Sequence, residues 1–206
     1  QVQGDLGALL AGRHPRLAGK DLGGLHVVGR CGEEAVFVVN VMRSAGIPAR
    51  PVYVPRWSHC DDNHAWVEVW CDGDWHYLGA CEPEAVLDKG WFTNAASRAM
   101  MIGSRWYDRA MPDEKVIGKD GMNRIINLLG KYAKTRWITI TVEDLDGTPA
   151  AGAKVRAEVM NYGEFSPIAI MEADKNGCIS FETGFGSLLI CAVYDGAYGE
   201  KVIDTR

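Results

Sequence analysis

The sequence predicts an α+β fold for the first part of the chain and a small all-β sandwich for the remainder. In the first part, a segment with helical spacing precedes alternating segments joined by a tight turn, which is typical of a helix on an antiparallel sheet. From Trp137 onward, short apolar segments are separated by turns rich in glycine, aspartate and asparagine, a pattern typical of a β-sandwich. We therefore predict two domains, 1–135 and 136–206.

The first predicted element is a helix from Glu33 to Ala45. Its apolar residues recur at close to helical spacing, and Gly46 followed by Pro48 is a common way for a helix to end. Its β-branched residues also suit a strand, so periodicity alone leaves both structures open.

Three strands are predicted next, at Ala49–Val54, Asn63–Trp70 and Trp75–Leu78. The second alternates clearly between its two faces. Asp72-Gly73, which separates the second and third strands, is a two-residue hairpin signal. Together with the helix, these strands make up the predicted α+β core.

The segment from Gly90 to Lys134 is more irregular, and we predict helices there at Ala95–Met101 and Asn123–Ala133. The strands predicted for the second domain are Ile138–Val142, Lys154–Val159, Ile168–Glu172, Ile179–Glu182 and Leu188–Tyr194.

Composition and charge exclude several classes of function. The net charge is −5 and no cluster of lysine and arginine stands out, so we expect no nucleic-acid partner. No apolar run approaches the roughly 20 residues of a membrane span, so we expect no transmembrane segment in this chain. With 47% hydrophobic residues the chain can bury a core without a metal, and we expect no cofactor.

The chain has six cysteines, and none of them forms a C-x-x-C pair. An even number is compatible with disulfides, although a nucleophilic Cys31 would have to stay free. Cys178 and Cys191 lie on neighbouring predicted strands. They could form a disulfide there or remain two buried thiols, and the sequence does not decide between these alternatives.

Three residues have the types and order of a cysteine nucleophile with its base and orienting acid. Cys31 precedes the predicted helix, His64 lies on a predicted strand, and Glu82 follows the next strand. A thiol attacks acyl carbons as the thiolate, which a helix N-terminus and an imidazole both favour. A carboxylate on the far imidazole nitrogen fixes its tautomer. Taken singly, each has a simpler explanation: a small buried residue, a structural histidine and a surface acid.

Four segments carry a resemblance to a known family. Gly29–Ala35, Arg43–Val52, Asn63–Val69 and Trp75–Tyr77 together resemble the core of the transglutaminase-like superfamily. The resemblance implies a papain-like α+β core with a Cys–His–acid triad. Cys31 and His64 match the nucleophile and the base of that family.

The third member of the triad is taken to be Glu82, because it precedes Pro83 just after the tryptophan-containing strand, where the family usually has Asp. Asp74, Glu84 and the absence of an acid are the alternatives. Gly32 stands where animal transglutaminases commonly have tryptophan, which favours peptidase or amidase action over protein crosslinking.

The segment before His64 is rich in hydrogen-bonding groups, and we predict that Trp57, His59 and Asp62 bind substrate at the mouth of a cleft. A metal site using His59, Cys60, Asp61 or His64 is an alternative, but the spacing fits no zinc pattern. A polar loop with no special role is another.

The second domain also resembles a known type of module. Val142–Val155, Ala173–Phe181 and Gly186–Ile190 resemble carboxypeptidase-regulatory-like or prealbumin-like β-sandwich modules. The resemblance implies an accessory module of exported proteins without catalysis, and hence an exported location, in the periplasm, at the cell surface or secreted.

The leading hypothesis is a transglutaminase-like cysteine hydrolase or acyltransferase that acts on amide bonds of a peptide or protein through a thioester. The alternative is a binding or scaffold module of the same family that has lost its chemistry. A metal-binding protein using His59, Cys60 and His64 is a third hypothesis.

Overall fold

The computed structural model describes residues 29–80, 82–106 and 116–206. Its helices are α1 (Cys31–Ser44) and α2 (Thr93–Ala96), with a short 3-10 turn at Leu129–Lys131. Its strands are β1 (Ala49–Val54), β2 (His64–Cys71), β3 (Asp74–Leu78), β4 (Gly103–Trp106), β5 (Val116–Asp120), β6 (Asn123–Asn127), β7 (Arg136–Thr141), β8 (Lys154–Asn161), β9 (Glu164–Glu172), β10 (Cys178–Thr183), β11 (Ser187–Tyr194) and β12 (Ala197–Asp204).

The described residues are mostly β-sheet, and this corrects the predicted fold class. Only α1 is longer than one turn, against twelve strands in the described ranges. The prediction of an α+β, papain-like core followed by a separate small all-β domain is therefore wrong. β-Structure runs through both parts of the chain.

One source of this error is the segment predicted as a helix at Asn123–Ala133. It forms strand β6, which pairs antiparallel with β4 on one side and β5 on the other. Ile125 and Ile126 are β-branched and suit a strand, and Gly121 with its φ of 58° makes the tight turn from β5. The spacing of apolar residues there matched a helix. Hydrogen bonding to strands on both sides, β4 and β5, instead favoured an extended backbone. Of the segment predicted as a helix at Ala95–Met101, only Ala95 and Ala96 are helical, as the end of the single turn α2.

The chain divides into two compact units. Among the described residues, the first comprises 29–53, 64–80 and 82–93, and the second comprises 54–63, 94–106 and 116–206. Residues 136–206, the second predicted domain, lie wholly in the second unit. The boundary near residue 135 stays a prediction.

In the first unit, α1 packs on a sheet whose strand order is β3-β2-β1. The helix buries one face, and the strands contribute alternate residues to the same core; the buried set is Ala35, Val38, Val39, Met42, Ala49, Val67, Val69, Leu78 and Ala80. This helix and the three strands confirm the elements predicted for residues 33–78, with ends that differ by two residues at most.

The β2–β3 hairpin turns at Asp72-Gly73, as predicted from the sequence. Both residues have positive φ, 52° and 86°, which matches the right-handed twist of the strands. The turn sets the register Cys71 opposite Asp74, so that Val67 lies opposite Leu78.

The second unit contains strands in the orders β4-β6-β5, β10-β7 and β12-β11-β8-β9. The last two groups contribute to one apolar core that includes Val155, Phe181 and Leu188. The five strands predicted after residue 137 all exist, but β12 was not predicted. Its residues are mostly exposed, so it shows little apolar alternation, yet the Asp195-Gly196 turn before it marks a hairpin.

No helix among the described residues is both long and apolar enough to cross a membrane.

A buried ion pair joins β1 to β2. The Arg50 guanidinium donates to Glu68 Oε2 from Nε at 2.6 Å and approaches it from Nη2 at 2.5 Å. Glu68 is fully buried, and the guanidinium lies 4.1 Å from the centre of the Trp75 ring. A charge that is removed from water needs its partner, so each half of this pair requires the other.

We predict that Glu68→Ala lowers the free energy of unfolding by about 3–5 kcal/mol, because it leaves the Arg50 charge buried without its carboxylate. Urea unfolding measures this change. The double variant Arg50→Met/Glu68→Leu is expected to regain most of the loss, since it removes both charges and keeps the volume. Asp204→Ala, which breaks the exposed Asp204–Arg206 pair, is the control and should change little. Equal losses in the single and double variants would contradict this explanation.

Candidate active site

Cys31 is the first residue of α1 and is partly exposed. The preceding residue, Arg30, is extended, and its backbone N–H donates to Glu33 Oε2 at 2.6 Å. The first helical hydrogen bond runs from Glu34 N to Arg30 O, so the N–H groups of the first turn lie at the open end of the helix. These groups are the kind of donor that stabilises a thiolate or an oxyanion.

Gly32, the residue after Cys31, is exposed. A Cβ built at Gly32 would meet no atom within 4 Å outside its chain neighbours and the backbone of the helix. Packing therefore does not require glycine at this position.

His64 is the first residue of β2 and lies in a box of aromatic rings. It is only 6% exposed, and its ring centre is 4.6 Å from Trp91, 4.9 Å from Phe92 and 5.9 Å from Trp66. Rings packed on several sides restrict the rotation of the imidazole. The structure thus places the predicted base at a strand end, held in one orientation.

Glu82 is joined to the same aromatic box through Trp91. The indole Nε1 of Trp91 donates to Glu82 Oε1 at 3.1 Å, while its ring packs against His64. The structure therefore brings Glu82 and His64 to one indole. The other two acids that were considered lie elsewhere: Asp74 accepts the N–H of Trp75 at the hairpin, and Glu84 lies 4.0 Å from Lys89.

The loop that carries Glu82 is closed by Asp88. One carboxylate oxygen of Asp88 accepts the backbone N–H of Tyr77 at 3.0 Å, and the other lies 2.5 Å from His76 Nδ1. The Asp88 N–H in turn donates to Tyr77 O at 2.9 Å. Asp88 has a φ of 60°, an uncommon value for a residue with a side chain, and these bonds hold it there.

Two residues of this region were missed by the sequence analysis. The sequence analysis assigned no role to Trp91 or to Asp88. Nothing local distinguishes Asp88 from other loop acids. Its position in Leu-Asp-Lys-Gly is compatible with a turn, and only the pairing with β3 shows what it does.

The residues predicted to bind substrate lie in the second unit, in the loop from Trp57 to Asp62. Trp57 is buried, whereas His59 and Asp62 are exposed. The loop is closed by a hydrogen bond from Trp57 N to Asp62 O at 3.0 Å, and Asp62 has a φ of 113°.

A single buried side chain, Asn161, holds this loop. Its Nδ2 lies 3.0 Å from the carbonyl oxygens of Trp57 and Cys60 and 3.3 Å from that of Asp62. Its Oδ1 accepts the Asp62 N–H at 3.3 Å. The next residue, Tyr162, donates its N–H to Asp61 Oδ1 at 2.6 Å. The tip of the β8–β9 hairpin therefore satisfies backbone groups that would otherwise need water.

Burial lowers the pKa of His59 below its ordinary value of 6.5, and the positive charge of Arg98 lowers it further. The imidazole is therefore neutral at pH 7. Its ring centre lies 5.4 Å from that of Trp57.

Metal-binding side chains are not grouped in the described ranges. Within residues 29–80, 82–106 and 116–206, no three His, Cys, Asp or Glu side chains come together in a way that could hold a metal ion. Asp144 and Asp174 instead accept backbone N–H groups in their own turns. The five cysteines of the described ranges are free thiols, including Cys178 and Cys191.

Comparison with known proteins identifies one family. Residues 23–80 match the sequence model of the transglutaminase-like superfamily. This confirms the resemblance found in the sequence over a segment that contains Cys31 and His64 and ends two residues before Glu82. No curated protein matches the chain.

We predict that Asn161→Ala lowers the free energy of unfolding by about 2–3 kcal/mol, because buried backbone groups of the loop lose their partner. Hydrogen exchange should show faster exchange at the N–H groups of Trp57 and Asp62. Asn176→Ala, at an exposed turn, is the matched control, expected within about 0.5 kcal/mol of the parent. Unchanged exchange in the loop would contradict the assigned role of Asn161.

Proposed function

We propose that this protein is a cysteine-dependent enzyme that transfers acyl groups from amide bonds of a peptide or protein. The match of residues 23–80 to the transglutaminase-like superfamily carries the proposal, because that family is usually enzymatic and the matched segment contains both Cys31 and His64. The position of Cys31 at the start of α1 and the packing of His64 beside the Glu82–Trp91 pair support it.

In the proposed reaction, the Cys31 thiol gives its proton to His64 and its sulfur attacks the substrate carbonyl. The N–H groups at the start of α1 stabilise the oxyanion that forms. The carbon–nitrogen bond then breaks, the amine leaves with the proton from the imidazolium, and a thioester remains. Water or an amine attacks the thioester and breaks the carbon–sulfur bond.

Glu82 has the role of orienting His64, and in this geometry it acts through Trp91. A carboxylate that accepts the indole N–H fixes the indole, and the indole packs on the imidazole. Of the two possible outcomes of the thioester, we favour hydrolysis. Gly32 stands where animal transglutaminases, which transfer the acyl group to an amine, commonly have tryptophan.

The same arrangement also fits a second function, a binding or scaffold module without chemistry. The exposed position of Glu82, outside the matched segment, favours this alternative. The proposed location remains outside the cytoplasm, on the resemblance of residues 142–190 to accessory modules of exported proteins.

The rate of Cys31 alkylation against pH tests the proposal. Cys60 is an exposed thiol, so the measurement uses a Cys60→Ser background. An activated Cys31 should react at pH 6 on the order of 100-fold faster than an ordinary thiol of pKa near 8.5, because far more of it is ionised. His64→Ala should abolish this advantage, and His59→Gln, a control histidine in the second unit, should keep it, because alkylation by a small reagent does not require substrate binding. An ordinary profile that His64→Ala leaves unchanged would favour the binding module.

A second prediction concerns the Glu82–Trp91 hydrogen bond. Glu82→Gln and Trp91→Phe should each lower kcat/KM by roughly 10- to 100-fold, the value of a hydrogen bond to a charged group. If Glu82 acts through the indole, the double variant should lose no more than the worse single variant. Additive losses on an amide substrate would show that the two side chains act separately.

A further inference from the structure

An open groove of about 1010 Å³ lies entirely within the second unit. Its lining comes from the segments around Arg98 and Lys131, and from strands β8, β9, β11 and β12. Its volume is at the upper end of the roughly 300–1,000 Å³ typical of small-molecule sites. A groove of this size and openness suits a chain-like ligand better than a compact one.

Much of the groove is exposed apolar surface. Met160 and Phe165 lie opposite each other on β8 and β9, and Val202 lies opposite Leu189 on β12 and β11. Met160, Phe165 and Val202 are 52%, 46% and 63% exposed. Contiguous apolar surface with a polar rim marks interaction sites on soluble proteins, and methionine and aromatic residues are enriched there.

The charged residues that line the groove are all cationic. Its cationic residues are Arg98, Lys131, Lys134 and Arg206, and no carboxylate of the described ranges is part of the lining. Asp204 pairs with Arg206, but neither Arg98 nor Lys134 forms an ion pair within the part of the chain that the structure describes. The groove thus concentrates positive charge on a chain whose net charge is −5.

We propose that this groove binds an acidic segment of another polypeptide, whose carboxylates face Arg98 and Lys134 and whose apolar side chains cover Met160, Phe165 and Val202. The inference rests on the proposed function in one respect, since the bound segment would belong to the substrate. His59, which the sequence analysis assigned to substrate binding, lies in the same groove. Complementary charge would supply selectivity and fast association, and the apolar surface would supply affinity.

Binding of a short fluorescent peptide tests this inference without turnover, in the full chain carrying Cys31→Ser. One probe alternates glutamate and leucine, and the comparison probe has lysine in place of glutamate. The acidic peptide should bind, and its affinity should fall as the salt concentration is raised. The basic peptide should not bind. Vesicles with anionic phospholipid serve as a third probe, to distinguish a polypeptide from a membrane surface.

The decisive variants are two charge reversals of equal size. Arg98→Glu/Lys134→Glu should weaken binding of the acidic peptide at least about tenfold. Lys154→Glu/Lys175→Glu changes the net charge equally at exposed positions outside the groove and should weaken it less than about twofold. The double variant Met160→Ser/Val202→Ser tests the apolar contacts of the groove and should also weaken peptide binding. It replaces the first double variant if that protein does not fold.

Equal weakening by both charge reversals, equal binding of the two peptides, or binding of vesicles without the peptide would overturn the inference. These outcomes are independent of catalysis. A protein that binds the acidic peptide through the groove but whose Cys31 shows no activation would overturn the proposed function and leave the groove assignment standing.

Discussion

The buried pair of Arg50 and Glu68 constrains the part of the structure on which the candidate chemistry depends. Successive residues of β2 face opposite sides of the sheet, so a slip of one residue would move Glu68 into the apolar core beneath α1. The same slip would move Val67 and Val69 to the face where Arg50 now pairs with Glu68. The pairing of Glu68 with Arg50 on β1 makes that slip very unfavourable. Because His64 begins the same strand, the ion pair also fixes which side of the sheet the imidazole faces.

Two loops of otherwise irregular backbone are each held by one polar side chain. Asp88 closes the loop that carries Glu82, and Asn161 holds the loop that carries His59. In both loops a residue with positive φ, Asp88 or Asp62, is kept in place by hydrogen bonds to its backbone or side chain. Loops positioned in this way by a rigid scaffold are where binding and catalytic residues are often found. The apolar cores therefore give the scaffold, and a few polar side chains, the exposed Asp88 and the buried Asn161, set the geometry of the candidate sites.

How much of the molecule the sequence predicted depends on how local each signal is. The segment from α1 to β3 was predicted closely, because glycine and proline after the helix, strand alternation and the Asp72-Gly73 turn act within a few residues. The prediction failed at residues 123–133, where helical spacing was outweighed by strand partners on both sides. In the candidate site, the roles of Cys31 and His64 were predicted from motifs, and the role of Glu82 from its place before Pro83. The hydrogen bond from Trp91 to Glu82 and the closure of the loop by Asp88 were not predicted.

The sequence by itself determined the order of the chemical groups, the helix at the start of which Cys31 lies and the strand that begins at His64. It also carried the resemblance that the match of residues 23–80 confirms. Only the tertiary structure decided that the described residues are mostly β-sheet, that Glu82 and His64 share one indole, and that Asn161 holds a loop about 100 positions earlier in the chain. The physical reason is the range of the interactions. Turns and helix ends are set by neighbouring residues, whereas strand partners and buried polar contacts are selected from the whole chain once it is compact.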